Sequence, residues 1–290
     1  MFIKQAILFF RTIRTKHWIK NVFVFVPAFF DHSILSAYKS WLVWQTFFAF
    51  CLAASITYLF NDWIDQEADR VNPNNKDRPI AAGLISTNKI FYFVSVLIIL
   101  LISILWHSNF YLPILIYLGL NLAYSSAFKK IAFLDVVVVS IGFILREWAG
   151  AMAGMINLSF WLVVMTIPLS LFLTLDKRRK ELMLENIHQI KIRQSLSFYS
   201  LKKISIALKV LAILSFVLYC MFCFSDEVRS GFGTNFVYIN AILVLIGYWR
   251  YYFVTTRISP YDPPIDILWQ DHWLHLIILF WIISFSVLNY

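Results

Sequence analysis

An all-helical integral membrane protein with nine transmembrane helices is the fold that this 290-residue sequence predicts, and three observations predict it. The chain is 60% apolar and only 14% charged, with mean hydropathy +0.72, which leaves too little polar surface to cover a water-soluble globule. Apolar runs that approach the roughly 30 Å needed to cross a hydrocarbon layer recur along its whole length. Lysine and arginine collect in the connections that would lie on one side of a membrane.

The first run, near residues 18–30, is short and fused to a basic, aromatic lead-in, Arg11-Thr-Ile-Arg14-Thr-Lys-His-Trp18-Ile-Lys20, which suits the interface. No small-residue cleavage site follows, so it reads as a span and not as a removable signal. The second run, 41–60, opens directly onto an acidic segment. Runs near 90–106 and 111–125 are separated by a turn at 107–110, and runs near 134–156 and 160–175 by a turn at 157–159. Three more, near 204–224, 236–254 and 273–289, complete the nine.

With nine crossings, five Lys/Arg of the N-terminus, four of 61–89, Lys129-Lys130 and eight of 176–203 share one side, against Lys39 and Arg229 on the other. The positive-inside rule then puts the N-terminus in the cytoplasm and the C-terminus outside, in a multi-pass protein of the inner membrane. The net charge of +9 reflects this topology, and no nucleic-acid partner is expected. No separate soluble domain is visible, so residues 1–290 read as one transmembrane domain capped by cytoplasmic loops 61–89 and 176–203. Cys51, Cys220 and Cys223 lack a metal-binding or disulfide spacing, the six histidines lack HxxxH or HExxH spacing, and the eight glycines form no phosphate-cradling loop. Apolar span surfaces look the same against lipid or a second copy, which leaves room for a homo-oligomer.

The strongest chemical signal is Asn61-Asp62-Trp-Ile-Asp65-Gln-Glu-Ala-Asp69-Arg-Val-Asn72, at the end of the second run. On a continuous helix Asp62, Asp65 and Asp69 would fall within about 60°, and Asn61 and Asn72 would widen that arc to about 100°. Carboxylates crowded on one face at a membrane boundary repel unless a cation neutralises them. Hard oxygen ligands of this kind suit Mg²⁺ bridging to substrate phosphates, with Asn61, Asp62, Asp65 and Asp69 as the ligand set. The competing reading is a solvated acidic helix start. Downstream, Pro73-Asn-Asn-Lys76-Asp-Arg78-Pro79 is turn-rich and basic, and Arg78 is placed to clamp phosphate oxygens.

These residues resemble the UbiA superfamily of intramembrane prenyltransferases, whose nine helices and NDxxDxxxD motif after the second span look like this chain. The resemblance implies an enzyme with a bundle of that kind, catalytic aspartates Asp62, Asp65 and Asp69, and a diphosphate-bearing substrate. Members usually carry a second aspartate-rich motif at the end of the sixth span. Here that position reads Leu173-Thr-Leu-Asp176-Lys177-Arg178-Arg179-Lys180-Glu181-Leu182, basic with one leading aspartate. Lys177, Arg178 and Glu181 share a helical arc of about 100°, so Glu181 is placed to orient the two cations.

The basic replacement is similar to one subgroup, the decaprenyl-phosphate 5-phosphoribosyltransferases. Other segments agree with it: Arg14-Thr-Lys-His-Trp18-Ile-Lys20-Asn21, Tyr124-Ser-Ser-Ala-Phe-Lys129, Leu134-Asp135-Val, Gly142-Phe-Ile-Leu-Arg146-Glu-Trp-Ala-Gly150 and Pro264-Ile-Asp266-Ile-Leu-Trp-Gln-Asp271. The resemblance implies two substrates, PRPP and a polyprenyl phosphate, with Mg²⁺ and diphosphate on the aspartate face and the 5-phosphate on the basic residues. It places Tyr124 and Lys129 at the cytoplasmic mouth, where Lys129 adds to phosphate binding. Asp135 is either a helper on the metal side or a salt-bridge partner of Lys129. Arg146 lies about 16 Å deeper along its helix, as a buried functional ion or as a packing ion pair. Lys20 either contacts the acceptor phosphate or snorkels to the interface. Two other functions remain open at this point: a prenyltransferase using a prenyl diphosphate and a small aromatic or other acceptor, and a transporter or lipid-carrier protein.

Overall fold

The computed structural model describes residues 2–189, 194–226, 228, 236–257, 267 and 269–289. Arg229, residues 190–193 of the second cap segment, and residues 264–266 and 268 of the Pro264–Asp271 segment lie outside the described residues. Among those described, the regular structure is entirely helical. Six helical stretches are long and apolar enough to cross a membrane: Ala37–Ile64, Thr87–Leu105, Leu134–Ala153, Phe160–His188, Leu201–Cys223 and Val237–Arg257. The chain divides into two compact units, Met1–Ser159 and Phe160–Tyr290.

The first unit contains α1 (Phe2–Thr12), α2 (Val26–Phe30), α3 (Ala37–Ile64), α4 (Gln66–Val71), α5 (Thr87–Leu105), α6 (Tyr111–Ser126) and α7 (Leu134–Ala153). The run near 18–30 is not one continuous helix: it is a 3₁₀ segment, Thr15–Val24, followed by the five-residue α2 with Pro27 in its first turn. Proline pre-sets a helix start but cannot donate to the turn before it, so the chain re-initiates there. Helix α3 is central and packs against α5, α6, α7 and the 3₁₀ segment. Its small residues Ala49, Ala53 and Ala54 are fully covered, which lets neighbouring backbones approach closely. Gly150 does the same on α7, where an added Cβ would collide with the Val24 carbonyl. Helix α5, by contrast, exposes Phe91, Ile98, Ile99 and Ile102, an arrangement suited to lipid.

The second unit contains α8 (Phe160–His188), α9 (Leu201–Cys223), α10 (Asn240–Arg257) and α11 (His272–Asn289). Helix α8 packs on α9, and α10 packs on α11 and α9, around Phe172, Ile204, Leu208, Tyr251, Val254 and Leu274. The segment expected to be a loop from 176 onwards is helical as far as His188. Its Lys, Arg and Glu residues favour helix, and the charges pair along the helix face, so nothing there stops the helix at the apolar boundary.

Candidate active site

The acidic segment forms where α3 ends. Asp65 leaves helical geometry (φ −91°, ψ 6°), so the helix breaks there and α4 restarts at Gln66. The continuous face expected for Asp62, Asp65 and Asp69 is therefore two short faces joined at a bend. Asp65 links them, its N–H donating to the Asn61 carbonyl at 2.9 Å and its carbonyl accepting from Asp69 at 2.8 Å.

Each carboxylate meets a cation brought from elsewhere in the chain. Arg14, left-handed at φ 54° between α1 and the 3₁₀ segment, grips Asp62 with Nε at 3.0 Å and with Nη2. Arg78 Nη1 bridges two carboxylates, donating to Asp62 Oδ1 at 3.2 Å and to Asp69 Oδ2 at 2.5 Å. Asn75 Nδ2 donates to the other Asp69 oxygen at 2.7 Å. Lys129, on the 3₁₀ turn after α6, donates to Asp65 Oδ1 at 2.5 Å. Asp62 and Asp69 are buried, and burial pushes the Asp69 carboxyl above the ordinary aspartate value, although Arg78 and Asn75 pull it down. Burial likewise lowers the Arg78 guanidinium.

The turn after α4 is what returns Asn75 and Arg78 to this network. The Asn72 side chain accepts the Asn74 N–H at 3.0 Å, an Asx turn, and the Asn72 carbonyl accepts from Asn75 and Lys76. Asn72 thus acts on the site through the turn it shapes, while Asn61 contributes its carbonyl to Asp65.

Among the described residues no three His, Cys, Asp or Glu side chains converge as a cage for a metal. The donor set nevertheless fits Mg²⁺, which keeps several waters and is held by one or two carboxylates together with substrate phosphates. Asp62, Asp65 and Asp69 supply such oxygens, and Arg14, Arg78 and Lys129 balance their charge until other groups do.

Elsewhere in the first unit, Asp135 is fully buried in the first turn of α7, where the helix dipole favours its charge. Tyr124 lies in the last turn of α6. Arg146, in α7, is buried and donates from Nε to Asn21 at 2.7 Å, from Nη1 to the Gly142 carbonyl at 2.5 Å and from Nη2 to Tyr117 Oη at 3.2 Å. Its direct partners are neutral groups.

In the second unit the basic segment occupies consecutive turns of α8. Asp176 is fully buried, accepts from Tyr251 Oη at 3.1 Å and Thr255 Oγ1 at 2.7 Å, and pairs with Arg179 at 2.7 Å. Arg178, 1% exposed, pairs with Glu181, and Lys177 stands 3.8 Å from the other Glu181 oxygen. Lys180 is buried too. Four cations thus face two carboxylates within six residues.

The profile of the UbiA prenyltransferase family matches residues 24–264. The chain belongs to that family. Two relatives named decaprenyl-phosphate phosphoribosyltransferase resemble this UbiA member over nearly its full length. The one from Mycolicibacterium smegmatis is 31% identical over 288 residues, covering 94% of this chain and 89% of that one. The one from Mycobacterium tuberculosis is 32% identical over 278 residues, covering 94% and 91%. Among solved structures, a UbiA homolog from Archaeoglobus fulgidus bound to GPP and Mg²⁺ shares the fold, with TM-score 0.70, 16% identity and coverage of 98% and 100%. The apolar helices and the family together make this an integral membrane protein.

The charged networks of this UbiA member also include residues that the sequence did not single out: Arg14, Asn75 and Asn21 in the first unit and Arg179 in the second. Arg14 had a signal, a cation beside an apolar run like Arg78 beside its turn, and Arg179 had one in its three-residue spacing from Asp176; Asn75 meets Asp69 only because a turn returns it, and Asn21 carries no signal, because Arg146 is 125 residues away.

Proposed function

We propose that this chain transfers the 5-phosphoribosyl group of PRPP to a polyprenyl phosphate and releases diphosphate. One observation carries the reading. Where the family usually has a second aspartate-rich motif, α8 presents Lys177-Arg178-Arg179-Lys180, with the last three buried, which suits a bare phosphate better than a second metal cluster. The names of the two full-length relatives support the same substrates.

The reading assigns Mg²⁺ to Asp62, Asp65, Asp69 and Asn61; when bound, the ion supplies positive charge against the leaving diphosphate. Arg78 and Lys129 donate to diphosphate oxygens, and Lys177, Arg178 and Glu181 belong to the 5-phosphate side. An oxygen of the lipid phosphate attacks C1 of the ribose in line. The bond from C1 to diphosphate breaks, the diphosphate takes the electron pair, and the configuration at C1 inverts. The attacking phosphate is ionised at neutral pH, so no general base is required, and positioning and electrostatics carry the rate.

The family profile runs across both units, which supports one catalytic domain over 1–290. The reading retains nine crossings by counting the 3₁₀ segment with α2, the 16-residue α6 and the apolar His272–Leu288 alongside the six long spans. It places the N-terminus and the charged segments on the cytoplasmic side of the inner membrane.

A second reading, prenyl transfer from a prenyl diphosphate, draws on the GPP-bound Archaeoglobus fulgidus homolog. Purified chain incubated with Mg²⁺ and either labelled PRPP plus a polyprenyl phosphate or a labelled prenyl diphosphate plus a small aromatic acceptor separates the two: lipid-linked phosphoribose should form, and Asp65→Asn should abolish it. Consumption of a prenyl diphosphate without that product would favour the second reading.

A further inference from the structure

At the end of the first unit remote from the acidic site, α3 begins where α5 ends, and the seam between them changes character along its length. Its terminal part is a cavity of about 300 Å³ lined mainly by polar groups, among them Tyr38, Gln45, Ser103, His107 and Asn109. Ser103 and Ile104 also line a groove of about 280 Å³ whose other walls are apolar, with Phe48, Leu52, Leu100 and Trp18 among them. The two are therefore continuous. On α3, Tyr38, Leu42, Gln45, Phe48 and Leu52 recur at the spacing of one helix face, and on α5 Leu100, Ser103 and Ile104 do the same.

From Tyr38 to Leu52 that face is about 21 Å long at about 1.5 Å per residue. One leaflet, headgroups included, is half of the roughly 40–45 Å bilayer. The seam thus matches a single lipid in length, polar where headgroups lie and apolar where chains lie. Gln45 sharpens the match. It sits two turns inside α3, half-buried, and among the described residues neither its amide nor the Tyr38 hydroxyl has a hydrogen-bond partner. An unmatched amide within a membrane span is costly, whereas a lipid ester or phosphate oxygen at that depth satisfies it. No carboxylate lines either cavity, and Lys39, beside Tyr38, has no ion pair among the described residues. Asn109 donates to the Met152 carbonyl at 2.7 Å, which fixes one wall of the polar end.

We infer that the α3–α5 seam binds one anionic glycerophospholipid. Its phosphate and ester oxygens meet Tyr38, Lys39, Gln45 and His107, and one acyl chain runs along Phe48, Leu52 and Leu100. Such a lipid ties the two helices together at the membrane face opposite Asp62. The site does not rest on the proposed function, since Gln45 stands about 25 Å along α3 from Asp62.

The test is lipid retention by the full-length chain in detergent, counted by native mass spectrometry after addition of phosphatidylglycerol, phosphatidylcholine and diacylglycerol with the same acyl chains. One phosphatidylglycerol should be retained, phosphatidylcholine about tenfold less, and diacylglycerol less still. Gln45→Leu at the polar end and Leu100→Trp at the apolar end, where the side chain is 47% exposed, should each lower retention about fivefold to tenfold. Ile213→Trp, at a 65% exposed position on α9, should leave it unchanged. Phosphatidylglycerol should raise the Tm of the native chain by about 2–4 °C and leave that of Gln45→Leu where it was. Without lipid, Gln45→Leu should melt no lower than the native chain, because the substitution removes an unmatched amide. The site is overturned if the three lipids are retained alike, if Ile213→Trp lowers retention as much as Leu100→Trp, or if phosphatidylglycerol stabilises Gln45→Leu as much as the native chain. A dimer that retains no lipid and is dispersed by Leu100→Trp would make the seam an interface between copies instead.

Discussion

The acidic network of the first unit and the basic cluster of the second hold their charges in opposite ways. Around Asp62, Asp65 and Asp69 the partners are distant in the chain: Arg14 lies 48 residues from Asp62, and Lys129 lies 64 from Asp65. On α8 the pairs are local, Arg178 with Glu181 and Arg179 with Asp176 at three residues' separation, Lys177 with Glu181 at four. The first network balances three carboxylates with three cations and exists only when the helices have packed. The second forms as soon as its helix does and keeps an excess of positive charge. Under the proposed function the contrast suits different tasks: a balanced network exchanges its cations for an incoming metal and phosphate, while a positive stretch inside α8 receives an anion.

The largest effect should come from breaking the balanced network. Asp62→Ala leaves Arg14 without its bidentate partner and takes one of the two carboxylates from Arg78, so unfolding stability in detergent should fall by about 3 kcal/mol and transferase activity should vanish. An equal loss of stability from Asp62→Asn would show that charge, and not the geometry of the acceptor oxygens, carries the network.

Next comes removal of metal. Chelation should abolish product formation and added Mg²⁺ should restore it. The Mg²⁺ requirement should also depend on pH with a definite sign. Because burial raises Asp69, its carboxylate is lost on acidification sooner than an ordinary aspartate's, so the half-saturating Mg²⁺ concentration should climb as pH falls, before folding itself suffers. A flat Mg²⁺ requirement down to the ordinary aspartate range would remove Asp69 from the ligand set.

In the second unit, Asp176→Ala leaves Arg179 buried without its carboxylate and two hydroxyls without their acceptor, costing about 2–3 kcal/mol in thermal unfolding. Its effect on the KM for PRPP should exceed its effect on the acceptor. The smallest effect belongs to Lys177→Gln, since this side chain is half exposed and its pair with Glu181 is long. Stability should change by less than about 0.5 kcal/mol, measured by the same unfolding assay. A large loss there would mean that the basic cluster is not locally assembled.

What the comparison also separates is the part of the molecule that composition and spacing reveal from the part they do not. Apolar runs announce α3, α5, α7, α8 and α9 because a membrane demands length and hydropathy, both of which are local quantities. The aspartate spacing announced the acidic face, and the arc shared by Lys177, Arg178 and Glu181 matches the contacts on α8, because both are properties of a single helix. The bend at Asp65, the broken first run at Pro27, and the continuation of α8 to His188 were not legible, because local geometry there answers to neighbours and not to periodicity.

By itself, then, the sequence determined that this is a helical membrane protein with acidic and basic segments at span ends, since hydropathy and charge spacing act over a few residues. Tertiary structure alone decided that Arg14 and Lys129 would neutralise the aspartates, and that Arg146 would meet Asn21, 125 residues away. The physical reason is the cost of burying charge: once helices close around an ionised group, whichever polar side chain packing brings within reach becomes its partner, and no local pattern records which one that is.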